Sequence, residues 1–137
     1  MKRPLLLALA SAITILPFAA HAAPSATPMT RTVHLEISDP GDPAGGLVLD
    51  TSLVGERACS TITLDDRTTR RKVSICTGGS AEHPFVDLRL ERGGAAGAVD
   101  VQFAAVTPNG ARTRLGKVAL DTKRSLEAHA TVTTDAP

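Results

Sequence analysis

The chain has 137 residues, 15 Lys and Arg against 14 Asp and Glu, three Phe, and no Trp or Tyr. Balanced charge lacks the electrostatic footprint of a nucleic-acid binder or of a protein held on an anionic membrane. Without exposed rings there are no stacking platforms for sugars or single-stranded nucleic acids. This length supports one small domain, with a core drawn from Val, Leu, Ile and Ala.

Lys2 and Arg3 precede an apolar run, Leu5–Ile15, which Pro17 ends; Ala20-His21-Ala22 follows. A positive start, an apolar middle and an A-x-A site describe a secretory signal peptide, residues 1–22, cleaved between Ala22 and Ala23. The run is too short to span a bilayer. No cysteine lies beside the cleavage point for lipid attachment, so the expectation is a mature chain not inserted in a membrane. Loss of Lys2 and Arg3 leaves 13 basic residues against 14 acidic. Export leads to an oxidising compartment, periplasmic or extracellular, where disulfides persist.

Residues 23–30 read as a flexible leader, residues 31–134 as a single β-domain and residues 135–137 as a tail. Arg31–Ser38 alternates Val33, Leu35 and Ile37 with Thr32, His34 and Glu36, the period of a half-buried strand. Asp39–Gly46, DPGDPAGG, is a loop by its turn residues. Leu47–Val54 is a second strand. Gly55-Glu56 then turns into a hairpin.

That hairpin, Arg57–Gly78, organises the rest. Pairing residues whose numbers sum to 135 sets Cys59 opposite Cys76, Thr61 opposite Ser74 and Thr63 opposite Lys72. Ile62, Leu64, Val73 and Ile75 then share one face, and both cysteines share the other. A slip of one residue would mix the two sets, so the pattern specifies its own register. The turn falls in Asp65–Arg70, with a four-residue loop, Asp66–Thr69. The expectation is a structural disulfide, Cys59–Cys76, because the spacing is not a CxxC and no metal-ligand pattern lies beside it. Arg67, Arg70, Arg71 and Lys72 cluster at the tip, either as a solvated turn or as a contact for a partner.

Four more strands follow: Phe85–Glu91, with Val86, Leu88 and Leu90 on one side; Ala98–Thr107, with Val99, Val101 and Phe103; Arg114–Asp121; and Leu126–Thr134. Pro108-Asn109-Gly110 marks a turn. About eight short strands and no helix outside the signal predict an all-β fold, a small antiparallel β-sandwich or barrel.

A weak internal repeat relates Arg31–Leu64 to Gly97–Thr134. Val33, Leu35 and Ile37 match Val99, Val101 and Phe103, and Leu49-Asp50-Thr51 recurs as Leu120-Asp121-Thr122. Two related halves paired about a pseudo-two-fold axis would place Asp50 and Asp121 in matching corners, each capping a turn.

The sequence contains no G-x-S-x-G, H-E-x-x-H, P-loop or GxGxxG pattern. Arg92–Gly97 is glycine-rich but joins two strands, so it lacks the helix terminus that makes such loops bind phosphate. If the first and last strands are neighbours, His34 and His129 approach each other and Glu36 or Glu127. Imidazole and carboxylate would suit a divalent metal; isolated surface histidines are the default. No cofactor is expected. The functional expectation is an exported non-catalytic β-domain that binds another protein, with nucleic acid excluded. The alternative is a small inhibitor of a secreted or periplasmic hydrolase, inserting Asp65–Lys72 or Asp39–Gly46. An enzyme acting through His34 or His129 is the third reading.

Overall fold

Period-two alternation dominates this chain, and each alternating stretch becomes a strand with one apolar face. In the computed structural model, residues 28–94 and 97–135 are described. The signal peptide with its Ala22/Ala23 cleavage point, most of the leader and the last two residues of the tail lie outside the described residues.

Eight strands follow in order: β1 Thr30–Ser38, β2 Gly46–Val54, β3 Ala58–Asp65, β4 Thr69–Gly79, β5 Pro84–Gly94, β6 Val99–Val106, β7 Arg112–Ala119 and β8 Ser125–Asp135. They form two four-stranded sheets. Sheet A has the order β2-β1-β8-β7 and sheet B the order β3-β4-β5-β6, with every pairing antiparallel. The all-β fold read from the sequence is observed, and of the sandwich and the barrel it allowed, the two four-stranded sheets make the sandwich. The chain meanders around the perimeter: β2 and β6 each hand over to the other sheet, and β8 returns beside β1. The sandwich is a flattened up-and-down ring with two seams, β2/β3 and β6/β7.

The core lies between the sheets. Val33, Leu35 and Ile37 of β1 and Leu126, Ala128, Ala130 and Val132 of β8 face Val73 and Ile75 of β4 and Val86, Leu88 and Leu90 of β5; all are buried. Each fully buried Leu, Ile or Val contributes on the order of 2 kcal/mol. The central strands of each sheet therefore carry most of the burial, and the seam strands carry less. At the β6/β7 seam a bulge between Arg114 and Gly116 shifts the register of β7. Gly116 lies under the Phe103 ring of β6, where any Cβ would overlap ring atoms. The half-buried Phe103 ring thus reaches from one sheet to the other over a glycine.

The internal repeat does not correspond to a symmetry of the fold. It maps β1, β2 and β3 onto β6, β7 and β8. The β2/β3 seam would then fall on β7/β8, which are hydrogen-bonded partners. An offset of five strands in an alternating meander also reverses strand direction. Asp50 lies within β2 opposite His34, whereas Asp121 lies in the β7–β8 turn, accepting from the backbone N–H of Lys123 and Arg124. Only Asp121 caps a turn; the two are not in matching corners.

Candidate functional site

The β3–β4 hairpin has the predicted register: every pair from Ala58↔Thr77 to Asp65↔Arg70 is as expected from the apolar pattern. Cys59 and Cys76 form a disulfide, their Cα atoms 4.1 Å apart, the close spacing of facing residues on adjacent strands. It lies on the outer face of sheet B. A structural disulfide indicates a non-reducing compartment. Among the described residues, no helix is long and apolar enough to cross a membrane.

At the hairpin tip Asp66 organises the turn. Its Oδ1 accepts from Thr68 N (2.8 Å), Thr69 N (2.7 Å) and Thr68 Oγ1 (3.1 Å). The two backbone donors hold its carboxyl below the ordinary value of 3.8. Arg67 is exposed at the apex. Arg70 is exposed and donates to Asp65 (3.1 Å), and Lys72 lies 3.7 Å from Glu91 on the outer face of sheet B. Arg71 does not belong to the exposed tip cluster that its sequence position suggests. Strand parity sends it inward with Val73 and Ile75, and its side chain is only 10% exposed. Its Nε and Nη2 donate to Asp42 Oδ2 and Oδ1 at 2.5 and 2.6 Å.

Asp42 belongs to the 39–45 loop between β1 and β2. That loop folds over the end of the sandwich and is fastened to sheet B twice. Asp39 forms a second buried ion pair with Arg92 of β5, whose Nη1 also donates to Gly97 O at 2.9 Å. The Arg71 guanidinium beside Asp42 lowers the Asp42 carboxyl below its usual 3.8, while the Arg71 pKa is raised by the same contact. Buried, bidentate geometry makes these pairs strong determinants of loop position. Asp39 and Asp42 point inward and anchor the loop, while Pro40, Pro43, Ala44 and Gly45 stay exposed on it.

The first and last strands are neighbours: β1 pairs with β8, and Glu36 lies opposite His129. The histidines nevertheless take separate partners on the outer face of sheet A. His34 Nδ1 and Asp50 Oδ1 are 2.7 Å apart, and His129 Nε2 and Glu127 Oε1 are 3.3 Å apart. Arg112 donates to Glu36 at 2.6 Å, and that hydrogen bond holds the Glu36 carboxyl below its ordinary range. Among the described residues, no group of three or more His, Cys, Asp or Glu converges as a metal ion requires.

A feature the sequence reading passed over is the apolar end of the outer face of sheet B. Elsewhere that face is covered by paired polar groups: Lys72, Glu91, Arg89 and Asp100 form a charged row, and Gln102 donates to Asp87 at 2.9 Å. Toward the far end, Phe85 and Val106 face each other across β5 and β6 and are 38% and 58% exposed. Beside them lies a depression of about 550 Å³ whose lining includes Arg57, Gly78, Phe85, Asp87 and the Cys59–Cys76 disulfide. Gly78, which pairs with Phe85, leaves the floor low, and the Arg57 stem passes near it. Two further exposed valines, Val48 and Val54, lie apart from each other on β2. The chain matches no protein-family model, no curated protein and no solved structure.

Proposed function

We propose that this chain is an exported, non-catalytic β-domain that binds another protein in the periplasm or outside the cell. The contact is the Phe85–Val106 end of sheet B. The observation that carries the reading is an adjoining pair of large exposed apolar side chains beside a disulfide-floored depression, on a face that elsewhere carries mainly paired charged and polar side chains. Contiguous apolar patches rimmed by polar groups mark protein contacts, whereas single exposed apolar residues need no explanation. Arg57 and Asp87 supply a rim of both signs. The disulfide and four hydrogen-bonded strands hold the surface rigid, which lowers the ordering cost of association. The test is recovery of a partner from the native envelope by gentle crosslinking, with the wild-type chain and with Phe85→Asp. A reproducible partner recovered with wild type and lost with the folded variant supports the reading; a partner retained by the variant, or none above background, counts against it.

The second reading, an inhibitor of a secreted or periplasmic hydrolase, is favoured by the hairpin tip. Arg67 projects from a turn fixed by the three hydrogen bonds to Asp66 and stapled by the disulfide behind it. Inhibition of a hydrolase that disappears with Arg67→Ala, in a folded protein, would support this reading over the first.

A further inference from the structure

Three arginines lie on the inward parity of their strands: Arg31 on β1, Arg71 on β4 and Arg92 on β5. All three are buried. Arg71 and Arg92, at one end of the sandwich, each meet a buried aspartate. Arg31, at the other end and 0% exposed, forms no ion pair among the described residues; its hydrogen bonds go to backbone carbonyls. Its Nη1 donates to Glu56 O at 2.9 Å and its Nη2 to Gly79 O at 2.6 Å. These neutral carbonyl dipoles offset only part of a full buried charge.

Arg31 Nε has no hydrogen-bond partner, and neither do the hydroxyls of Thr77 and Thr134. These are the buried side-chain polar atoms left unsatisfied among the described residues, and all three belong to the same end. Thr134 lies directly opposite Arg31 in the β1–β8 pairing, on the same inward face. Thr77 is on the facing sheet, two residues before Gly79, whose carbonyl holds the Arg31 guanidinium. Thr77 and Thr134 are 3% and 8% exposed. Buried polar atoms without partners in native proteins call for an explanation, and three at one place are explained together by one bound water or ion.

The donor chemistry selects which species. Nε–H can only donate, and each hydroxyl can rotate to donate. Three donors beside an uncompensated positive charge are suited to an anion. A water would satisfy the hydrogen bonds and leave the charge unneutralised. Protein interiors leave few voids larger than a water molecule, which favours a monatomic guest. We propose that Arg31, Thr77 and Thr134 form an internal site for one halide ion, chloride in the native setting. A surface depression lined by Met29, Glu56, Arg57, Gly79 and Ser80 lies just outside the two carbonyls and gives the approach.

The test uses bromide and chloride as probes. A crystal of the mature protein grown in bromide is expected to show an anomalous peak in contact with Arg31 Nε and both hydroxyls. In calorimetric melts at fixed ionic strength, with chloride exchanged for gluconate, each tenfold rise in chloride above its Kd should raise the folded-to-unfolded ratio tenfold. Thr77→Val with Thr134→Val keeps shape and β-propensity and should abolish that dependence. Should the double variant fail to fold, the bromide peak in the wild-type protein still decides. A water oxygen with no anomalous signal at that position, or stability indifferent to chloride, overturns the proposal.

Discussion

Replacing Asp42 with Ala tests the claim that the β1–β2 loop is fastened by buried charge. The substitution removes both carboxylate oxygens that hold Arg71, at 2.5 and 2.6 Å, and leaves a guanidinium whose side chain is 10% exposed. Breaking a buried pair by deleting one partner costs about 3–5 kcal/mol. Asp66 Oδ2 remains 3.6 Å from Arg71 Nη2 and supplies part of the lost compensation, so the lower limit applies, about 3 kcal/mol. With a urea m-value of about 1.5 kcal/mol/M for a domain of this size, the unfolding midpoint should fall by about 2 M. With no Trp or Tyr in the chain, far-UV circular dichroism is the suitable probe. Asp42→Leu combined with Arg71→Met should return to within about 1 kcal/mol of wild type, because apolar replacements of both partners remove the desolvation cost together. If Asp42→Ala moved the midpoint by less than about 0.3 M, the reasoning from buried charge would be refuted.

Three further outcomes follow from the same structure. Asp42 has a carboxyl pKa lowered in the folded state by Arg71, so its stabilisation is complete above the unfolded value near 3.8 and is lost as pH falls through the lower folded value; acid titration of the urea midpoint should show this loss, smaller in Asp42→Asn. Replacing Cys59 and Cys76 with Ala should cost about 3 kcal/mol from loop-closure entropy, for a loop with a sequence separation of 17, and an unchanged thermal midpoint would contradict it. Gly116→Ala should destabilise by about 1–3 kcal/mol by overpacking against the Phe103 ring, and Gly116→Ala with Phe103→Leu should recover part of that loss in the same denaturation assay.

The fold was readable wherever one face of a strand is apolar. In the β3–β4 hairpin a shift of one residue would have put Ile62 and Val73 outside, so register, disulfide and core face followed together. The same parity also runs through arginines. Arg31 precedes Val33, Leu35 and Ile37 at even spacing; Arg71 precedes Val73 and Ile75; Arg92 follows Leu88 and Leu90. Applying alternation to charged residues as strictly as to apolar ones would have placed all three inside. Two of the three, Arg71 and Arg92, meet the two aspartates of the Asp-Pro-Gly-Asp-Pro loop, as buried charges require partners. Arg71 has Arg70 and Lys72 as sequence neighbours at the tip, and nearness along the chain hides its opposite orientation. The repeat misleads for another reason: Leu-Asp-Thr within strand β2 and in the turn after β7 are the same letters in different backbone settings. The Phe85–Val106 patch required knowing that β5 and β6 pair so that two outward residues meet.

The most direct test of the proposed function is site-specific photocrosslinking in the native envelope, with the crosslinking residue at position 85, at position 67 or, as control, at position 61 on the same outer face. The account predicts one reproducible adduct from position 85 and none from position 61. An adduct from position 67 alone would transfer the contact to the hairpin tip, as the inhibitor reading requires. No adduct from any position would contradict the binding-module account.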